Sequence, residues 1–307
     1  MRYLVTGAAG QVGSHLLTLL AGQDVVALDM AFPTDPIQPG LRRVTGDITS
    51  SGFLDALLDG QSFDVVFHLA GLNALQTTQD IYRVNTGGTA ALCSAMTRAA
   101  PSRLVLMSSS AVYGASPDDP ITEASSIRPL THYAVSKVAA EMAAEIYGRE
   151  TGRDVLVARP FNIVGPRQRA PLLYAKVAAQ LVEIQRGIRP PLLELGNLDG
   201  QRDFIDVRDV CSGLLAIAEH GRAGQAYNLC NAKAMTSRAV VEYLCQESGL
   251  PVDVRTAPRN PVTDLAYQRG SHEKLTAASG WQPRIAIEKS LSDTFAYWLA
   301  LPVPRNS

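Results

Sequence analysis

Thr6-Gly7-Ala8-Ala9-Gly10-Gln11-Val12-Gly13 follows an apolar run at residues 3–6 and leads into an amphipathic stretch at residues 12–21. Three glycines spaced three apart, between a strand and a helix, have a physical use. One permits the tight turn, a second lets backbone N–H groups approach a phosphate, and the third lets the helix lie close on the strand. The N-terminus of the helix then presents its partial positive charge to a pyrophosphate. Glycine-rich turns are common, so the weight comes from the strand before and the helix after. The stretch marks Gly7, Gly10, Gln11, Val12 and Gly13 as candidate dinucleotide contacts.

Outward from this turn, apolar runs at 3–6, 24–28, 65–68, 103–107 and 154–158 alternate with helical stretches at 12–21, 53–58, 79–99 and 132–149. Strands that alternate with helices imply βαβ units, and strands nearly continuous in Val, Leu and Ala imply burial on both faces. The expectation is an α/β fold with a Rossmann-type doubly wound parallel sheet, its dinucleotide-binding domain spanning residues 1–160. After that the rhythm changes. Prolines stand at 160, 166, 171, 190 and 191, with helical stretches at 172–185, 207–219, 237–248 and 287–301 and short strands at 192–195, 226–229 and 252–255. Residues 161–307 are expected to form a smaller α/β substrate-binding lobe, partly interleaved with the first domain.

The bulk numbers are those of an ordinary globular protein: 307 residues, 46% hydrophobic and 19% charged, with a net charge of −1. Such a balance offers no electrostatic reason for nucleic acid or an anionic membrane as partner. The start does not read as a signal peptide, and no run approaches the roughly 18 apolar residues of a membrane span. The expectation is cytoplasmic. Cys93, Cys211, Cys230 and Cys245 form no CxxC pair. They read as small core residues in a reducing compartment, with no metal or disulfide role.

Asp29 ends the second strand. A carboxylate there accepts hydrogen bonds from an adenosine ribose and repels a 2′-phosphate, and Met30-Ala31-Phe32 offers no arginine to hold one. This favours NAD(H), with NADP(H) left open. Asp47 and Ile48, after the next strand, could present a carboxylate to the adenine amino group. Leu69, Ala70 and Gly71 place small residues after His68, where a cofactor would cross the sheet edge.

Ser108-Ser109-Ser110 follows the strand at 103–107, and Tyr133 and Lys137 stand four apart in a helical stretch, so they share a face. A free tyrosine loses its proton near pH 10, and a neighbouring ammonium lowers that value. A serine hydroxyl can hold a carbonyl or alcohol oxygen while the phenol exchanges its proton and a hydride passes to or from a nicotinamide.

TGAAGQVG, HLAG, VNTGGT around Asn85, SSSAVYG, YAVSK, RPFNIVGP and RDFIDVRDV together resemble the extended short-chain dehydrogenase/reductases, the nucleotide-sugar epimerase/dehydratase/reductase group. The likeness runs over almost the whole chain. It implies that Ser109, four before Tyr113, is the catalytic serine, that Tyr133 and Lys137 are the proton-transfer pair, and that Lys137 also contacts the nicotinamide ribose. It places Asn162 near the substrate phosphates or the nicotinamide, and gives Arg202 and Arg259 to a diphosphate, which suits the planar guanidinium fork. It implies a homodimer through the helices at 79–99 and 132–149.

Ser110-Ala111 stands where sugar 4,6-dehydratases of the group carry an Asp-Glu pair, which argues against dehydration. Residues 195–199 and 226–230 look most like the GDP-4-keto-6-deoxymannose reductases. The resemblance therefore implies NAD(P)H-dependent reduction of a 4-keto group on a nucleotide-linked 6-deoxy sugar. The alternatives are an NAD-dependent nucleotide-sugar epimerase using the same residues and, behind it, a non-catalytic dinucleotide sensor. Ala111, Thr131-His132 ahead of Tyr133 and a short segment at 71–79 depart from the group's usual pattern. His132, adjacent to Tyr133, is expected to serve at the rim or structurally.

Overall fold

The computed structural model describes residues 1–33, 39–100, 102–170, 172–258 and 265–302. The first half runs β1 (Arg2–Thr6), α1 (Gln11–Leu19), β2 (Asp24–Asp29), β3 (Leu41–Thr45), α2 (Ser51–Leu58), β4 (Val65–His68), α3 (Thr78–Ile81), α4 (Thr89–Met96), β5 (Arg103–Met107), α5 (His132–Thr151) and β6 (Val155–Pro160). The second half runs β7 (Asn162–Val164), α6 (Leu173–Gln185), β8 (Leu192–Leu195), β9 (Gln201–Asp206), α7 (Val207–His220), β10 (Ala226–Leu229), β11 (Ala234–Thr236), α8 (Ser237–Ser248), β12 (Asp253–Thr256), β13 (Tyr267–Gln268), α9 (Glu273–Ser279) and α10 (Ile287–Ala300).

Among the described residues, seven strands form one sheet in the order β10-β6-β5-β4-β1-β2-β3. Every pairing in it is parallel. Chain order reverses between β1 and β4, so the loops after those two strands diverge and leave a crevice at the carboxyl edge. One face packs Val12 and Leu16 of α1 and Val210, Leu214 and Ile217 of α7 on Val5, Ala27 and Phe67. The other packs Leu54, Leu92, Met96, Ala140 and Ala144 on Leu4, Val26 and Leu104. This is the doubly wound α/β architecture that the alternating runs imply.

Two elements differ from the reading of the sequence. The stretch expected as one helix at 79–99 is α3 and α4 joined by a π-helical turn, Tyr82–Gly88. Apolar periodicity averages over such a widening and does not reveal it. The short strand at 226–229, grouped above with the later elements, pairs with β6 and extends the main sheet. Its apolar run says that it is buried, not which sheet it joins. Whereas α7 and α9 join the core of the main sheet, α6, α8 and α10 build a second core around Leu193, Leu195 and Phe204. There β9 pairs with β7, β11 and β13, and β8 pairs with β12. Among the described residues no helix is long and apolar enough to cross a membrane.

A buried polar cluster ties α5 to the sheet. Arg159 of β6 donates from Nε and Nη2 to the two carboxylate oxygens of Glu141, at 3.0 and 2.6 Å, and from Nη1 to the Tyr113 hydroxyl at 3.0 Å. Tyr113 in turn donates to Asn228 at 2.8 Å. The Arg159 and Glu141 side chains are only 10% and 12% exposed. Removing one member of such a pair strands the other charge, so Glu141→Ala is expected to lower unfolding free energy by about 3–5 kcal/mol. Glu145, on the same helix, meets Arg149 at 3.9 Å with both side chains more than half exposed, and Glu145→Ala is expected to cost under about 1 kcal/mol. Urea unfolding of the two variants checks the contrast.

Candidate active site

The glycine turn is shaped by what cannot fit in it. Gly7 has φ +69°, and a Cβ there would stand 2.6 Å from the Ala70 nitrogen. A Cβ on Gly13 would stand 2.2 Å from the Gly7 carbonyl oxygen, so the third glycine lets α1 lie against the turn. Gly10 donates to the Gly7 carbonyl at 3.1 Å and precedes α1 without a side-chain cap. The first-turn N–H groups of α1 are thus left to whatever lies in the crevice. The side chains of Gln11 and Val12 serve the protein. Gln11 donates to the Gly165 and Pro166 carbonyls at 3.0 and 3.3 Å, and Val12 is buried in the core.

Asp29 accepts from the Ala9 nitrogen at 2.9 Å and from the Met30 nitrogen at 2.7 Å. Its carboxylate therefore braces the glycine turn from the end of β2. Asp47 accepts from the Thr49 nitrogen at 2.8 Å and faces Arg83 at 3.5 Å. The Thr49 backbone hydrogen bond above all holds its carboxyl below the ordinary value, helped by the Thr49 side chain and Arg83 and opposed by burial. Ile48 is buried against Gly88, where a Cβ would stand 2.8 Å from its Cγ2. Arg43, unnoticed in the sequence, lies with its guanidinium carbon 5.5 Å from the centre of the Phe32 ring and donates to the Pro33 carbonyl at 3.0 Å. Met30-Ala31-Phe32, directly after Asp29, holds no arginine, but the neighbouring strand brings one to this loop.

Across the switch point, Leu69 donates to the Thr6 carbonyl and Ala70 to the Thr6 hydroxyl, at 3.1 and 3.2 Å. A Cβ on Gly71 would lie 3.1 Å from both Lys137 Nζ and Asn85 Oδ1. Glycine at this position keeps the approach to the ammonium open. N–H groups at the first turn of α1, a carboxylate beside them and an ammonium approached past Gly71 are the groups that suit a nicotinamide dinucleotide.

Thr131 caps α5 by accepting from the Ala134 nitrogen at 3.1 Å, and the helix carries Tyr133 and Lys137 one turn apart. Lys137 donates to the Met107 carbonyl at 3.0 Å, with Nζ 6.0 Å from the centre of the Tyr133 ring. Ser109 accepts from the Ala111 nitrogen at 3.2 Å, and its hydroxyl lies close enough to the Tyr133 phenol to act on its pKa. Burial pushes the Lys137 ammonium down to about 8, partly opposed by Glu141. The net shift at the phenol runs opposite to the lowering expected beside an ammonium: burial raises the Tyr133 pKa, with the nearby Ser109 hydroxyl acting against it. His132 points to the rim, where its Nδ1 lies 3.2 Å from the Tyr82 hydroxyl with the rings edge-on.

Reading the sequence assigned no role to the Asn85 side chain. Asn85 Oδ1 accepts from the Leu72 nitrogen at 2.7 Å, and Nδ2 donates to the Leu72 carbonyl and to Ser136 Oγ, each at 3.0 Å. Its place follows from the π turn, which periodicity does not disclose.

At the substrate end, Asn162 donates to the Asp203 carbonyl at 2.9 Å. Arg202 lies on β9 in register with Gln268, which reaches the Ser110 carbonyl at 3.3 Å. This brings the Arg202 strand beside the serine loop. Asp203 accepts from the Asn231 and Gly270 nitrogens at 2.8 and 3.1 Å, and burial pushes its carboxyl up to about 7. Arg259 lies outside the described residues.

The sequence pattern of the NAD dependent epimerase/dehydratase family matches residues 3–230. The chain is 34% identical to GDP-6-deoxy-D-mannose reductase of Pseudomonas aeruginosa, over 97% of each chain. It is 32% identical to UDP-glucose 4-epimerase of Azospirillum brasilense, over 92% of this chain and 87% of that one. Among solved structures, RMD from Pseudomonas aeruginosa complexed with NADPH superposes with a TM-score of 0.85 at 32% identity, over 98% of this chain and 99% of that one.

Lys137 is an ammonium kept in a site that disfavours its charge. Its pKa falls from 10.5 to about 8 on folding, so the folded chain binds fewer protons than the unfolded one between those values. Stability therefore rises with pH through that window. Below it the charge costs about 3 kcal/mol, at roughly 1.4 kcal/mol per pKa unit. Lys137→Met removes that cost and loses one hydrogen bond, worth about 1 kcal/mol. The variant is expected to be more stable than the parent by about 2 kcal/mol at pH 7. The gain should shrink as pH climbs from 8 past 10, which urea unfolding at several pH values measures.

Proposed function

Because the chain belongs to the NAD dependent epimerase/dehydratase family, we propose that it reduces the 4-keto group of a GDP-linked 6-deoxy sugar, with Tyr133 as the proton donor. The observation that carries the reading is the meeting of Ser109, Tyr133 and Lys137 beside the space that Gly71 leaves open. Full-length likeness to a reductase of that substrate class supports it. A bound nicotinamide supplies the hydride. Ser109 holds the keto oxygen by a hydrogen bond, and Tyr133 gives that oxygen its proton as charge builds on it. Lys137, charged, steadies the phenolate left behind. Burial keeps Tyr133 protonated before the reaction, as a donor must be. Dehydration finds no acid–base pair after Ser109, where Ser110 and Ala111 stand in a 3-10 turn.

Asn162, Arg202 and Arg259 are assigned to the sugar nucleotide, Arg202 and Arg259 to its diphosphate. Asp29 favours NAD(H). Arg43 beside Phe32 and the NADPH held by the similar structure favour NADP(H), and both cofactors are proposed to serve. The epimerase reading is supported by the likeness to UDP-glucose 4-epimerase; it needs Tyr133 to begin as a base. We assign the chain to the cytoplasm as a homodimer. Val135, Met142 and Ile146, exposed on one face of α5, support pairing across a two-fold, and a monomeric mass by light scattering would reject it.

Stopped-flow absorbance with GDP-4-keto-6-deoxymannose tests the reaction. One reduced nicotinamide should be consumed per 6-deoxy sugar formed, and Tyr133→Phe should lower kcat by about 10²–10⁴-fold. Interconversion of 4-epimers with no net loss of reduced cofactor would replace the reductase with the epimerase. The same assay across pH should show kcat/KM falling above about pH 8, where Lys137 loses its proton.

A further inference from the structure

His68 ends β4 with 1% of its surface exposed. Its Nδ1 lies 2.7 Å from Thr6 Oγ1, and its Nε2 lies 3.0 Å from Thr89 Oγ1. The directions of these hydrogen bonds follow from their ends. The Asn85 carbonyl can only accept, and Thr89 Oγ1 stands 2.6 Å from it, so the Thr89 hydroxyl spends its proton there. Thr89 must then accept from His68, which places the ring proton on Nε2. At the other end Ala70 N–H donates to Thr6 Oγ1, and the Thr6 hydroxyl donates to a bare Nδ1. Every hydroxyl in the chain gives one bond and takes one. A second proton on the ring would face the Thr6 hydroxyl and leave that hydroxyl's own proton without this acceptor. Burial, with the Lys137 charge adding to it, pushes the imidazolium down to about 3, which agrees with a neutral ring.

We propose that His68, fixed as its Nε2–H tautomer, is a positioning residue that sets Lys137 against the cofactor groove. The relay begins at the loops that meet across the switch point and ends at Asn85 in the π turn. From there the Asn85 side chain holds both backbone groups of Leu72 and the hydroxyl of Ser136. Thr86 adds a hydrogen bond to the Ser136 carbonyl at 3.2 Å, and Ser136 precedes Lys137. Thr6 belongs to β1, His68 to β4, Asn85 to the π turn and Ser136 to α5. One neutral histidine thus links the strand that carries the glycine turn to the helix that carries the reacting groups. His68 touches neither substrate nor cofactor in this assignment and acts through Thr89 and Asn85.

The test has two parts, because the kinetic part rests on the reductase proposed above and the spectroscopic part does not. In 15N-histidine-labelled wild type, the His68 ring, assigned through its contacts to Thr6 and Thr89, should show a protonated Nε2 and a bare Nδ1. It should not titrate between pH 5 and 9. A proton on Nδ1, or titration in that range, overturns the proposal whatever the enzyme's substrate is. In steady-state assays Thr89→Val should lower kcat at least tenfold with the KM of the sugar nucleotide within twofold. Thr89→Ser, which keeps the hydroxyl, should recover to within about threefold of wild type. Unchanged kcat in a folded Thr89→Val, or equal losses in both variants, overturns the positioning role. If wild type turns over no keto sugar, the proposed reaction fails and the tautomer alone decides for His68.

Discussion

Two backbone turns meet at the reversal of strand order, and the geometry of the whole site hangs on how closely they meet. With a side chain at Gly7 the turn after β1 would collide with the peptide joining Leu69 and Ala70. Because it has none, the turn after β4 hydrogen-bonds directly to Thr6 through both its backbone carbonyl and its hydroxyl. That approach fixes the crevice at the carboxyl edge, where the reversal leaves no connection to fill it. The first turn of α1 opens on one side of it, Asp29 braces the same turn from β2, and Gly71 leads along it toward Lys137. Gly13 extends the constraint into the helix layer, since α1 could not lie on the turn if that position carried a Cβ.

The reacting end of the groove is built against the charge it needs. Lys137 is almost wholly buried, and burial alone makes its ammonium harder to keep. The structure answers with a carbonyl, Met107, within hydrogen-bond reach, and with Glu141 one turn further along α5. Glu141 is itself held by the fork of Arg159, so its negative charge stays in place without being free to wander to the site. A lysine that costs stability and a glutamate–arginine pair that anchors its helix are two halves of one arrangement. The helix must be held firmly because the group it presents would otherwise swing out to water, where its charge is better solvated.

Much of this was legible in the chain. The glycine spacing between a strand and a helix carries its own steric reason, and Tyr133 and Lys137 share a helix face by arithmetic. Asp29 at a strand end was visible for the same kind of reason. What the sequence hid lies where local pattern and tertiary position part company. The π turn at Tyr82–Gly88 leaves apolar periodicity nearly intact, so Asn85 could be quoted within a motif without its side chain being given a task. Arg43 is fourteen residues past Asp29 along the chain, yet lies on the strand beside it, and only the β2–β3 pairing brings it to Phe32. The strand at 226–229 announced burial but not its partner. The net direction of the Tyr133 pKa was hidden because spacing shows a neighbouring charge and not the desolvation that opposes it.

The direction of that shift bears on the chemistry. If a nearby ammonium were the dominant influence, Tyr133 would approach the ionised form and be ready to take a proton from an alcohol, as an epimerase's first step requires. Burial raises the phenol's pKa instead, with the nearby Ser109 hydroxyl acting against it. A protonated phenol beside a serine hydroxyl presents two donors to an oxygen that is gaining charge, which is what carbonyl reduction demands. Lys137 serves as the phenol gives up its proton, because its charge favours the phenolate that remains. The same three residues can run the reaction either way, and a raised phenol pKa favours the role of proton donor over that of base.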